Sequence, residues 1–517
     1  MKSAVSLALA LLLLSAAAGR AQEVARVTLV HLNDIAQIDQ DQGRGGLARL
    51  ASVISDERAG GRQALVTHGG GALSPSPLSA IDRGSHMIRL LNILPVDMFG
   101  VGGHDFDFGP AALAERAREA SFPMLASNIT TAAGATLDGA GTVAIRSIGG
   151  FRLGFMSLLS PSAAQLYRTS GLRIAPLAAS ARRIAAELRA QGADMVIALA
   201  SVDDAEAVAL FRLGVLDLVL RGDSADLQIM QNDRTLLATS SPGGGRVVAI
   251  DLRLERSAVE AAPEIDDTAD DDREISLSGT VRRDVRWSAA ARTIDTAGAP
   301  TDYLMLGLVQ QTLFLHATAT EEVLARLPAA LDTREALLRR QGGAFPEYVA
   351  DAIRVATGAD FALVHAGNFP GDRVYPAGSE FRRGDLLREL PFRNRVVMLD
   401  VSGADIIAAL ENGFSLIEQQ DGRFPQVSGM VIDFDAGAPP GQRVMTVSGP
   451  DGPVLPGRRY RLATSDFLAD GLDGYAAFAG RPRLGDSTNS PTLADVVTRH
   501  MRHAGPPQPG APRLRQR

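Results

Sequence analysis

The chain has 517 residues, 46% of them hydrophobic, a formal net charge of −7 and no cysteine. That length and apolar content suffice for two or three buried cores, and a mildly acidic balance without a basic stripe argues against a general nucleic-acid binder. Disulfides are excluded, so cohesion comes from packing alone.

The first segment, residues 1–21, reads as a signal peptide. Lys2 precedes the apolar run from Val5 to Ala18, and Gly19-Arg20-Ala21 supplies a small-residue cleavage pattern. The run is shorter than the roughly 20 residues that cross a bilayer, and no second apolar span follows. The expectation is a periplasmic protein without a stable membrane span, its charge near about −9 once Lys2 and Arg20 are removed.

Residues 24–254 alternate short β-branched runs with helical patterns, which predicts a layered α/β domain. Strands are expected at Arg26 to His31, Gln63 to Thr67, Met195 to Leu199 and Leu216 to Leu220, and helices at Leu47 to Arg58 and Leu177 to Ala190. Residues 255–300 hold the acidic clusters Glu264 to Asp267 and Asp270 to Asp272 and show no clear period, so they read as a linker or insertion. A second α/β domain is expected over 301–498, and the Pro-rich basic end, 504–517, reads as a disordered tail.

Five segments of the first domain carry a resemblance: His31-Leu-Asn-Asp-Ile-Ala36, Gly45-Gly-Leu-Ala-Arg49, His68 to Ser79, Gly102-Gly-His-Asp-Phe-Asp107 and Asp217 to Asp223. Phe122 to Asn128 adds to it. In the second domain Val349 to Ala352, Thr357 to Asp360, Gly384 to Leu387, Pro391-Phe-Arg-Asn394, Gly422 to Gly429 and Asp466 to Tyr475 follow in order. Together these resemble the secreted 5′-nucleotidase family, which includes UDP-sugar hydrolases and the sulfur-oxidation enzyme SoxB. The resemblance implies an N-terminal four-layer metallophosphoesterase α/β sandwich and a C-terminal α/β substrate domain of the 5′-nucleotidase type.

It also implies a two-metal hydrolytic centre, in which paired ions activate water and stabilise phosphoryl charge. This chain departs from that pattern. Alignment on Pro77-Leu78-Ser79 puts Gly71 at the bridging carboxylate; Ala36 and Gly103 replace a ligating His and Asn, Ser201 stands for a ligand His, and Asp223 and Ala225 replace two more. Asp34 matches a metal-binding Asp, and Asp223 is a chemically possible substitute, yet the two are insufficient to hold a dinuclear pair. No cofactor is expected unless a remodelled site, using Asp34, His68, His104 and Asp223, takes one divalent ion. The dyad His104 and Asp107 is kept, either as an acid–base pair or as leftovers that anchor a loop.

The family clamps a nucleobase between two rings, which the resemblance places at Phe424 and Phe467, with Asp473 on the ribose; ordinary core packing is the alternative for both rings. Gly367 and Arg373 fall by the segment His365 to Pro370, where His365 replaces an Asn and Pro370 the substrate arginine. Leu472 and Arg393 put bulk where the family has glycine, which predicts a narrowed pocket. The expectation is a pseudoenzyme that binds a nucleoside, a nucleotide or a periplasmic protein partner. Its rivals are an active hydrolase with a remodelled site and a scaffold for an active homologue.

Overall fold

The computed structural model describes residues 23–39, 43–222, 228–259, 282–485 and 490–517. The expected signal peptide, and Asp223 and Ala225 of the expected metal site, lie outside the described residues.

Two six-stranded sheets build the first domain. One runs, in spatial order, Arg282–Asp295, Arg246–Val259, Glu23–Leu32, Ala64–His68, Met98–Gly100 and Met124–Leu125, the last four parallel. The other runs Gln228–Gln231, Leu236–Thr239, Leu218–Gly222, Met195–Ser201, Phe151–Leu159 and Val143–Ile148, with antiparallel edge strands. Alternation along each strand sends side chains to opposite faces. Val27 and Leu29 meet Ile197, Leu199 and Leu220 in a core between the sheets. Val30 and Leu32 face outward to the helices Leu47–Arg58, Ser85–Leu91 and Gly109–Glu119. On the far side Val196, Ala198 and Ala200 pack on Leu177–Ala190 and Asp204–Phe211. The order helix, sheet, sheet, helix is the expected four-layer sandwich.

The second domain wraps one core around a five-stranded mixed sheet, in the order Pro425–Ser428, Phe361–His365, Arg459–Ser465, Val396–Ser402 and Arg483–Leu484. The helix Ala344–Thr357 presents Phe345, Val349 and Ile353 to that core. Between the domains runs the helix Tyr303–Thr320, started by Asp302, whose carboxylate accepts the Met305 N–H at 2.8 Å. Its Met305 and Val309 are buried in the first domain's core, so it begins as part of that domain.

Two expectations need correction. Residues 255–259 and 282–295 are no linker: Arg246–Val259 and Arg282–Asp295 pair antiparallel over their whole length. Val285, Trp287, Ala289 and Ala291 alternate inward against the between-sheet core, a period that small alanines and the neighbouring acidic cluster, itself outside the described residues, conceal. The C-terminal end is no disordered tail either. Leu514–Gln516 pairs parallel to Val431–Phe434, and Arg513 bonds Asp351 at 2.7 and 2.9 Å, so a bidentate ion pair holds the end down.

Candidate functional site

The parallel strands of the first domain end at one place, where α/β proteins carry their sites. Asp34 follows Glu23–Leu32, Gly69 to Gly71 follow Ala64–His68, and the His104 loop follows Met98–Gly100. Ser201 and Gly222 close their own strands. The structure thus brings Asp34, Gly71, Gly103 and Ser201, four of the positions that the resemblance aligned on metal ligands, to one end of the sheets.

Backbone meets backbone there. The Asp34 N–H donates to the Gly70 carbonyl at 2.9 Å, and Gly69 N–H to the Leu32 carbonyl at 2.7 Å. Gly71 has φ +72°, and a Cβ built there would overlap Asp34 Oδ1. Gly222 lies so close to the Gly69 carbonyl that it accepts no Cβ, and one on Gly69 would press on Gly222. At Gly103 a side chain would run into the Tyr167 ring, which covers the place where a ligating residue would project. Asp105 fastens the whole. It is 1% exposed, and its carboxylate accepts N–H groups from Gly71, Ala72, Leu73 and Gly102 at 2.9–3.1 Å. Burial pushes its pKa up, and those four amides pull it back.

A dinuclear metal centre does not fit these residues. Among the described residues no group of three or more histidine or acidic side chains is placed to hold an ion, and Asp34 Oδ2 already accepts from Asn33 Nδ2 at 2.7 Å. His68 is no substitute ligand. The Gly70 N–H donates to its Nδ1 at 3.1 Å, which leaves the proton on Nε2, and the ring stacks on Phe99 at 4.7 Å. Burial, with His31 beside it, pushes the His68 imidazole down to about 3, and burial takes His31 to about 4.

What stays open is a cavity of about 220 Å³ between the domains. His104 and Asp107 line its first-domain side, with His104 Nδ1 3.1 Å from Asp107 Oδ2. Tyr167 meets the His104 ring edge-on at 5.1 Å, and Phe392 of the other domain lies parallel to it at 6.4 Å. Opposite, Gly367, Phe467 and Asp473 line the cavity, and His365 stacks on Phe467 at 5.5 Å while its Nε2 meets Asp473 Oδ2 at 3.0 Å. Asp473 has φ +52°, an uncommon backbone for aspartate. Arg168 crosses the domain boundary to Asn394 and Asp466 at 2.8 and 3.0 Å.

Other expected residues lie elsewhere. Phe424 is 1% exposed and packs edge-on against Phe414 at 5.5 Å, so its ring belongs to the second core and is absent from the cavity lining. Arg373 lies over Tyr375 and is also absent from that lining, as are Leu472 and Arg393; the Arg393 guanidinium donates to the Ala80 carbonyl at 2.9 Å. Arg168, Asn368, Tyr167 and Phe392 were not singled out by sequence reasoning. Arg168 sits in no recognisable motif, and Asn368, Phe392 and Asn394 fall within motif segments whose spacing gives them no role.

This sandwich, joined to a second α/β domain across a shared cavity, has the architecture of an N-terminal metallophosphoesterase domain with a C-terminal substrate domain. Residues 318–480 match the 5′-nucleotidase C-terminal domain family. A probable 5′-nucleotidase of Treponema pallidum is 24% identical over 83% of this chain and 82% of its own length. The trifunctional nucleotide phosphoesterase YfkN of Bacillus subtilis is 32% identical, but over 29% of this chain and 11% of its own length. The crystal structure of a 5′-nucleotidase precursor from Thermus thermophilus superposes with TM-score 0.76 at 22% identity, covering 95% of this chain and 99% of that one. Residues 318–480 thus belong to the 5′-nucleotidase C-terminal domain family, and the chain as a whole shares the fold of that 5′-nucleotidase precursor.

Proposed function

We propose that this protein is an exported family member that has lost phosphohydrolase activity and acts by binding, with a nucleoside or nucleotide as ligand of the interdomain cavity. The observation that carries the reading is that at two aligned ligand positions a side chain has no room, Gly71 being closed by Asp34 and Gly103 by Tyr167, while the cavity nearby keeps aromatic and polar walls. Export rests on the apolar N-terminal run; no described helix is long and apolar enough to cross a membrane.

A second reading, an active hydrolase, is favoured by one feature: the His104–Asp107 pair is intact and faces the cavity. The two are separated by assaying AMP and nitrophenyl phosphate with added divalent ions. The binding reading expects no turnover above buffer and a thermal shift with at least one nucleoside or nucleotide. Turnover abolished by His104→Ala would establish the hydrolase instead.

A further inference from the structure

The cavity wall is richer in carboxylates than in cations. Asp107, Asp421 and Asp473 line it, and among the described residues Arg168 is the one guanidinium that does. Arg168 is engaged through Nη2, which donates to Asp466 Oδ1 at 3.0 Å and to Asn394 Oδ1 at 2.8 Å. Nearby Arg423 is held by Asp421 at 2.9 Å. Phosphate recognition normally uses an unencumbered arginine fork or a metal. Here the aligned position is Pro370, and Arg373 lies over Tyr375, outside the cavity.

Two hydrogen-bond chains fix what the wall offers. Arginine only donates, so Asn394 must turn its Oδ1 to Arg168 at 2.8 Å and donate from Nδ2 to Asn368 Oδ1 at 2.9 Å. The relay ends on Asn368 Nδ2, a donor without a partner on a residue 2% exposed. In the second chain the Asp473 carboxylate accepts from His365 Nε2 at 3.0 Å, and the other ring nitrogen is Nδ1. That atom too has no partner, on a residue 3% exposed. Both residues line the cavity, with the rings of Tyr167, Phe392 and Phe467 around them.

A flat ligand would meet the aromatic rings with its faces, and Asn368 and His365, each with an unpartnered nitrogen, stand in the wall beside it. A dianion would instead meet three carboxylates in a partly desolvated space. We infer that the cavity selects an uncharged nucleoside or nucleobase and discriminates against the 5′-phosphorylated form, an inversion of the preference expected of a nucleotidase. The inference rests on the cavity being a ligand site.

Calorimetric titration of the full mature chain with adenosine, uridine and their 5′-monophosphates tests it. The expected result is one nucleoside bound about tenfold or more tighter than its monophosphate. Asn368→Ala should weaken the nucleoside by about fivefold or more, while a lowered melting temperature reads the Asn394 bond it also breaks. Asp421→Asn, which releases Arg423, should narrow the gap by strengthening the monophosphate alone. A monophosphate bound as tightly as its nucleoside overturns the selectivity and leaves the binding reading standing. Absence of binding by all four overturns both.

Discussion

Position 103 shows how a lost ligand and a gained contact become one fact. The Tyr167 ring lies where a side chain on Gly103 would project, so restoring the family's Asn there should overpack the site and cost on the order of 1–3 kcal/mol in chemical denaturation. Combining Gly103→Asn with Tyr167→Ala should recover part of that loss, and a single variant as stable as the parent would contradict the contact. A second residue acts through pH. Glu389 is 0% exposed, and its Oε1 accepts from Tyr375 and Thr333 at 2.8 and 2.9 Å. Burial raises its pKa from 4.5 to about 7. Its folded-state pKa lies above the unfolded one, so the stability contributed by the protonated form is full below pH 4.5 and is lost as pH rises through 7. Glu389→Gln should therefore stabilise the protein by on the order of 2 kcal/mol at pH 8 and leave it unchanged near pH 4. His31 and His68 work the other way. Their pKa values are depressed from 6.5 to about 4 and about 3, so the unfolded chain takes up protons first and stability falls as pH drops below 6.5. Urea midpoints measured from pH 8 to pH 4 check both signs.

At the scale of elements, Arg246–Val259 pairs with Glu23–Leu32, and the outer strand Arg282–Asp295 is fastened to the sandwich on its inner face by Trp287. Its ring packs on the between-sheet core, and its Nε1–H donates to Asp217 Oδ1 at 3.2 Å. Trp287→Ala should cost about 2 kcal/mol, less than a fully buried tryptophan because the ring is only partly covered. As the chain's single tryptophan, its fluorescence should follow unfolding of the first domain. The strands with β-branched cores, such as Glu23–Leu32 and Met195–Ser201, were legible because alternation and apolar content agreed. So were the helices Leu47–Arg58 and Leu177–Ala190, whose bounds match the structure. The Trp287 strand was not, because alanine marks its inward positions and an acidic cluster follows its partner. The strand Leu514–Gln516 was hidden by Pro and Arg, and what orders it is an ion pair to a residue some 160 positions away, Asp351.

The whole molecule places its cavity where two domains meet, and half of that wall was beyond sequence reasoning. Motif order put His104, Asp107, Phe467 and Asp473 in the right region, and each lines the cavity. Phe424 went astray because a motif fixes a position in the chain and leaves open which face of the loop its ring takes. Arg168, Asn368 and the His365–Asp473 pair depend on contacts between distant segments, which no local spacing announces. The lost metal ligands, by contrast, were readable one by one, and the structure adds that at Gly71 and Gly103 the place of a side chain has been closed by packing. Metal content tests that account most directly. The purified full chain, equilibrated with manganese and zinc, freed of unbound ions and analysed by elemental mass spectrometry, should retain far less than one ion per molecule. Stoichiometric retention of one or two ions, lost when Asp34 is replaced by Ala, would contradict it.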